Sequence, residues 1–429
     1  MSWVVPTLPA VTVPPVMEAR RSGPWSPLRI TIYRSLWIAG LVSNIGTFMH
    51  LVAANWSMTT MTDSPTVVSL VQVAWSIPGF LLALHAGAFA DRLDRRAFLV
   101  VTQIGALVVA GGLAVLDRGG WLTPAWLLAG TFLESIALTM AAPAFMALTP
   151  ALVGAGRLQQ AIGLDAISRN AAQAIGPAIA GGVIAWSGPG AVFAMNAASF
   201  VGVVVVVQRS SLDRREVAVG EALGGAIREG VQRVRSNPQL RRPVVRLAVT
   251  SALGAGFTAL LPLVARGRLA ASAGGFGALS AGFGIGSVAA VWSLPRLRAA
   301  DRPERAIGVA AATWSIGVAV FAVGRTWAVA LPAVVLAGVG AMGMLNVLVS
   351  NYMLQLEEWM RGRGSAIAML MVWLGASVGA LAAGAMASGV GLSAALLTIA
   401  IGNIGWCLIG ASRMPIRPLL VRTTPGATR

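Results

Sequence analysis

The sequence predicts an all-α integral membrane protein, with twelve transmembrane helices in two six-helix bundles. Three observations carry this expectation. Of 429 residues, 56% are hydrophobic and only 11% charged, against roughly 25% charged in a soluble domain. Apolar segments long enough to cross a bilayer core, which takes about 20 residues of helix, recur twelve times. The arginines then fall almost wholly on one side of the alternating topology that those segments impose.

In chain order the spans are expected near 36–60, 66–90, 97–116, 122–145, 158–186 and 190–208, then 243–265, 274–295, 306–324, 328–352, 365–387 and 391–412. Residues 1–35 precede them. Their six prolines, and the lack of a basic residue before Arg20, do not read as a signal peptide. Positions 1–24 are expected to be disordered and 25–34, "WSPLRITIYR", to form an interfacial lead-in. The first bundle is thus 36–208 and the second 243–412, with 413–429 as a tail. Between the bundles, 209–242 mixes eight Arg with Asp213, Glu216, Glu221 and Glu229. It reads as an amphipathic connector on anionic headgroups.

The formal charge is +17 and all 32 basic residues are Arg. With the N-terminus cytoplasmic, 26 of them fall in inside segments and 4 in outside loops (Arg118, Arg266, Arg268 and Arg325). Both termini are therefore expected inside, in a multi-pass protein of the plasma (inner) membrane, and the basic excess is topological rather than a nucleic-acid footprint. The single cysteine, Cys407, forms no internal disulfide.

The halves carry a faint repeat. At an offset of 199 residues Gly87 falls on Gly286 and Gly176 on Gly375, and "VSNIG" (42–46) resembles "TSALG" (250–254). Two six-helix repeats are a transporter architecture.

The loop "GAFADRLDRR" (87–96) places five charges between two apolar spans. Orientation explains Arg92, Arg95 and Arg96 but does not require Asp91 and Asp94. The order Gly87, Asp91-Arg92, Arg95-Arg96 resembles the loop between spans 2 and 3 of the major facilitator superfamily, although that pattern has Gly where this chain has Asp94. The resemblance implies a cytoplasmic latch, in which Asp91 meets the start of span 11 and nearby arginines; a carboxylate is favoured at a helix's positive end. Span 11 begins near Ser365, after "RGRG" (361–364), and the matching second-half loop (286–298) has no Asp. "GPAIAGG" (176–182) in span 5 is similar to the superfamily's exporter motif. That likeness implies export, with Gly176, Pro177, Gly181 and Gly182 letting span 5 approach the other half. "LWIAGLVSNIGTFMH" (36–50), "SLVQVAWSIPGFLLAL" (69–84), "LLPLVARGRL" (260–269) and "WMRGRGSAIAML" (359–370) resemble the branch of the enterobactin exporter, the transmembrane secretion effectors. That branch often has an Arg three residues after its span-5 Asn; here Asn170 is followed by Gln173, with Arg169 before it.

Charges in hydrocarbon default to function because they are costly to insert. Two acids fall within predicted spans, Glu134 and Asp165, and Arg169 stands one turn beyond Asp165, in reach to pair along one face. Glu134 has no opposite charge in its own span. The resemblance places it, with His50, near a central cavity lined by spans 1, 4, 7 and 10, where Asn44, Asn346, Asn351 and Tyr352 are further candidates. His85 is expected as a packed, hydrogen-bonded residue. Glu134 is the expected proton carrier with His50 as its titratable partner; Asp165 is the alternative. No metal spacing, P-loop or Ser/His/Asp constellation is seen, so no cofactor, metal or enzymatic activity is expected. The function expected is proton-coupled export of small amphipathic molecules (siderophores, macrolide-like natural products or drugs) by a monomer in the lipid bilayer, through alternating access. An importer on the same fold, or a non-transporting receptor, are the rival readings.

Overall fold

The computed structural model describes residues 23–92, 94–209, 223–299, 303–357 and 360–416, with side chains at all of these except 84, 87, 88, 90–92, 223–228 and 291–299. Of the expected tails at 1–24 and 413–429, residues 1–22 and 417–429 lie outside the described residues, as does most of the connector's first half.

Among the described residues there are thirteen α-helices and no strand. In the first half these are α1 (Thr31–Met61), α2 (Pro65–Arg92), α3 (Arg95–Arg118), α4 (Pro124–Val153), α5 (Leu158–Ser187) and α6 (Pro189–Arg209). After the connector helix α7 (Leu223–Ser236) come α8 (Pro238–Gly267), α9 (Ala273–Ala299), α10 (Pro303–Val323), α11 (Trp327–Gln355), α12 (Arg361–Val390) and α13 (Leu392–Arg413). Eleven are long and apolar enough to cross a membrane. The exception among the twelve expected spans is α5. It has the length, 30 residues, but carries Gln159, Gln160, Asp165, Arg169, Asn170 and Gln173.

Local sequence explains the helix ends. Pro65, Pro124, Pro189, Pro238 and Pro303 open their helices, where a missing N–H costs nothing. Thr123 and Asn237 accept hydrogen bonds from Trp126 N and Gln239 N, capping α4 and α8. Gly188 (φ 78°) ends α5 and Gly391 (φ 84°) ends α12, both in the left-handed region that glycine adopts without strain. These are equivalent turns in the two halves.

Several boundaries differ from the expectation. Within residues 25–34, Ser26–Arg29 is a 3-10 turn, and α1 is already helical from Thr31, ahead of the expected start at 36. Leu28, Ile30 and Trp37 pack with Tyr33, Val153, Ala161 and Leu164, so the segment is docked on the ends of α4 and α5. Likewise α4 continues to Val153 and α12 starts at Arg361. Apolar runs mark only the hydrocarbon-crossing part of helices that project beyond it.

The halves meet along two seams, α2 against α12 and α5 against α9. Calling the end that carries α7 and the start of α1 the terminal end, two side-chain hydrogen bonds among the described residues cross the α2–α12 seam in the opposite, distal half: Thr66 Oγ1 with Ser388 Oγ (2.9 Å) and Ser76 Oγ with Ser377 Oγ (2.7 Å). Trp56 of α1 stacks on Phe276 of α9 at 5.9 Å. At the terminal end the start of α12 is held by the connector. Arg363 Nη1 donates to Glu229 of α7 at 2.9 Å, and Arg233 of α7 donates to Glu357 at 3.0 Å.

The repeat is borne out where it concerns packing. A Cβ on Gly176 of α5 would meet Ile45 O of α1, and one on Gly375 of α12 would meet Ala248 O of α8, the same helix pair in each half. The "VSNIG"/"TSALG" match does not carry over: Gly46 abuts Asn196 and Ser199, whereas Gly254 faces open space.

Candidate functional site

The polar centre of the first bundle is built by α1, α4 and α6. On α4, Thr131 and Glu134 are three residues apart and so share a face. His50 enters from α1 and Asn196 from α6. His50, Thr131, Glu134 and Asn196 are all fully buried, at 0% exposure. Asn196 Nδ2 donates to Glu134 Oε1 at 2.7 Å. His50 Nε2 lies 3.3 Å from Thr131 Oγ1. His50 Nδ1 stands 3.1 Å from Glu134 Oε2, close but off the line of a directional hydrogen bond. The Phe193 ring of α6 is 5.1 Å from the imidazole. Ser199 Oγ donates to Asn196 O at 2.7 Å. α6 comes this close because residue 46 is glycine: a Cβ there would stand 2.7 Å from Asn196 Oδ1.

Chemically this is a carboxyl group and an imidazole facing each other at 3.1 Å. Asn196 fixes one carboxyl oxygen and leaves the other toward the imidazole. A charge alone at this depth is costly, so a proton arriving at or leaving the pair changes the stability of its surroundings. The sequence brings out His50 and Glu134 together. It misses Asn196 and Thr131, whose only signal is a lone polar residue in an apolar run ("VFAMNAASF", "GTFLES"). The pair is also enclosed against α6, inside the bundle, rather than lining an open cavity.

α5 carries the second polar group. Asp165 Oδ1 accepts from Tyr33 Oη at 3.4 Å, and Tyr33 Oη also donates to Ala161 O at 3.2 Å. Trp37 Nε1 donates to Leu164 O, and Asn44 Nδ2 to Ser168 Oγ at 3.2 Å. Arg169 acts on Asp165 through its charge, but no direct ion pair joins them among the contacts within 4.0 Å; Arg169 is exposed.

The candidates on α11 divide. Asn351 accepts from Gln355 Nε2. Tyr352 is fully buried in the second bundle against the start of α12, near Gly364. Asn346 is half-buried, with an amide nitrogen that lacks a partner. His85 is exposed rather than packed, its Nδ1 3.2 Å from Leu81 O.

In the 87–96 loop, the side chains of Gly87, Asp91 and Arg92 lie outside the described residues. Asp94 is described and is a cap: its carboxylate accepts from Arg96 N at 2.9 Å and opens α3. Its presence where the superfamily pattern has Gly is thereby explained. Arg95 is the first residue of α3, and the Arg96 guanidinium donates to Gln208 O at the end of α6. The exporter-like motif of α5 divides between neighbours. Gly176 packs on α1 in its own half, while Pro177 O and Gly181 abut Gly277 of α9 in the other half. Gly182 has nothing within 4 Å, so it makes no close approach.

Two repeated six-helix bundles joined by a connector helix are the architecture of the major facilitator fold. Within that class the chain belongs to the transmembrane secretion effector family, whose model it matches over residues 22–418. It is 24% identical to the MFS-type transporter y4rN of Sinorhizobium fredii, over 56% of this chain and 59% of that protein. It is 27% identical to the staphyloferrin A transporter of Staphylococcus aureus, over 33% and 36% of the two chains. These matches span less than two thirds of the curated relatives' length. Among solved structures it resembles the nucleoside transporter NupG (TM-score 0.72, 12% identity, 88% of this chain and 98% of that one). It equally resembles a bacterial homologue of the lysosomal transporter Spinster in an inward-facing, occupied conformation (TM-score 0.72, 13% identity, 90% and 97%). At such identities the likeness establishes the fold.

Proposed function

We propose that this protein exports small amphipathic molecules across the plasma membrane in exchange for protons, by alternating access, as a monomer with both termini cytoplasmic. The observation that carries the reading is the His50–Glu134 pair, an acid and a base 3.1 Å apart, wholly buried between spans. A static structural role calls for neither to titrate; a proton carrier needs such a group, able to exchange with both sides as the bundles rock. The described hydrogen bonds Thr66–Ser388 and Ser76–Ser377 join the halves in the distal half of the α2–α12 seam, and we read the terminal end as cytoplasmic. The arginine distribution supports that orientation, and the span-5 motif supports export. Siderophores, macrolide-like natural products and drugs are the cargo classes; the similarity to a staphyloferrin A transporter favours the first.

The test is transport in inverted membrane vesicles with an imposed pH gradient. Export predicts cargo accumulation driven by an acid interior, and loss of that accumulation on collapsing the gradient. Accumulation only with the opposite gradient would mean uptake instead. Single cysteines at Ser64 and Ser211 in a Cys407→Ser background check the orientation: the first should label from outside with an impermeant reagent and the second should not.

A further inference from the structure

The α5–α9 seam is a backbone contact. Cβ atoms added at Gly277 and Gly284 of α9 would collide with Pro177 O and Gln173 O of α5. One turn toward the terminal end of Gln173 stands Arg169, and there α5 presents an exposed guanidinium. Arg169 is the twelfth residue of the helix, about 16 Å from its start at 1.5 Å per residue, and so deep in the span. Its direction follows from its neighbours. Ser168 faces α1, bonded to Asn44, and Gln173 abuts α9. The α9 contacts are made by the backbone at Gln173, Ala174, Pro177 and Gly181, so at 3.6 residues per turn Arg169, about 100° from Ser168, projects between the α1-facing and α9-facing sides of the helix. It therefore lies where the two halves approach each other, on the terminal side of the α5–α9 seam.

Arg169 has no hydrogen bond or ion pair within 4.0 Å among the described residues; Asp165, one turn away and hydrogen-bonded by Tyr33, acts on it only through its charge. An arginine at this depth without a direct partner is costly unless it meets water or a ligand. Ile162, two turns nearer the helix start, is on the same face and 57% exposed. The surface offered to a molecule between the halves is thus a guanidinium, with Asp165 one turn below it and an apolar strip at Ile162.

We infer that the transported molecule is an amphipathic anion, and that Arg169 binds its carboxylate at the roof of the gap between the halves while its apolar body lies along the Ile162 face. This rests on the transporter reading above and narrows its cargo to one charge class. A guanidinium suits this task because it stays charged and offers a planar fork to a carboxylate.

The test uses the purified full-length protein in nanodiscs and its thermal midpoint. The probes are 1-naphthoate, salicylate and decanoate, each paired with its neutral amide. Carboxylates should stabilise the protein and amides should not. Arg169→Gln should weaken carboxylate binding about tenfold or more, as expected for losing a charge-assisted contact, and Arg169→Lys should restore part of it. Stabilisation by amides equal to that by carboxylates, no stabilisation by any carboxylate, or an unchanged response in Arg169→Gln would each overturn the inference. Proteoliposomes separate this from the transport reading. Gradient-driven movement of ethidium, untouched by Arg169→Gln, would overturn the anion assignment while leaving transport intact. Charge-selective, Arg169-dependent binding without gradient-driven movement of the bound carboxylate would leave the anion site standing and remove the coupling.

Discussion

Each half of the molecule buries one asparagine in its last span, and the two serve different ends. Asn196 of α6, 0% exposed, holds the Glu134 carboxyl beside His50. Asn403 of α13, 1% exposed, donates to Ser315 Oγ at 3.0 Å and Ala311 O at 3.3 Å on α10. Around it the second half packs an aromatic core, with Phe257 against Phe283, Trp314 and Phe321. The second half's buried ion pair, Arg246 with Glu304 at 2.5 Å, sits at the terminal end, where Glu304 also accepts from Ile416 N and pins the chain after α13. The same architecture is thus titratable at the heart of one bundle and neutral at the heart of the other. Duplication supplies the frame, and a few polar residues set the centre of one copy apart from that of the other.

The largest effect should come from Glu134→Gln. It keeps the Asn196 contact and removes the proton site, so gradient-driven accumulation should be abolished while downhill exchange persists. Survival of uphill transport in Glu134→Gln, with its loss in Asp165→Asn, would move the proton site to α5. The counterpart change, Asn403→Ala, should cost about 1–3 kcal/mol for the buried hydrogen bonds it removes from the Ser315 hydroxyl and the Ala311 carbonyl, lowering the melting temperature without uncoupling transport. Uncoupling by Asn403→Ala would erase the contrast between the halves.

Between these lies the α5–α9 seam. Gly284→Ala forces a methyl into the Gln173 backbone and should cost about 1–3 kcal/mol, with transport falling in step; Gly182→Ala, in open space, should be silent. Equal sensitivity at both positions would mean the motif acts as a unit rather than through its contacts. The smallest effect is expected at the loop acids. Asp94→Ala removes a cap worth about 1 kcal/mol and should leave transport near normal, whereas Asp91→Asn should depress transport in a folded protein if Asp91 is the latch. Reversal of that order, measured on purified and reconstituted variants, would transfer the role to Asp94.

How much of this was legible follows from what each feature depends on. The spans were, since hydropathy is a property of consecutive residues. α5 was placed correctly although its composition falls short, because its polar residues are interrupted by enough Ala, Ile and Gly to keep the run. Helix ends were not, since α1 begins at Thr31 through packing on α5 that no local window contains. His50 and Glu134 stood out as rare ionisable groups, but Asn196, 62 residues from Glu134, is brought in by tertiary packing alone. Asp94 looked like half of a charged motif and proved to be a helix cap, a role set by one backbone N–H two residues on.

The seam between α2 and α12 has a property that bears on how the molecule moves. Each of its four serines has a carbonyl of its own helix within hydrogen-bond reach: Ser69 with Thr66 O, Ser76 with Gln72 O, Ser377 with Trp373 O and Ser388 with Gly384 O, all at 2.7–3.1 Å. When the halves part, the serine hydroxyl that donated across the seam can turn back to its own helix, so neither Ser76 nor Ser377 is left a stranded donor in a low-dielectric gap. What is lost is van der Waals contact against glycines such as Gly79 and Gly384, which is short in range and regained as soon as the surfaces meet. The joint is therefore self-satisfied on both faces, like a fastener that leaves no hooks exposed when opened, and can be parted and remade every cycle at little cost in hydrogen bonding.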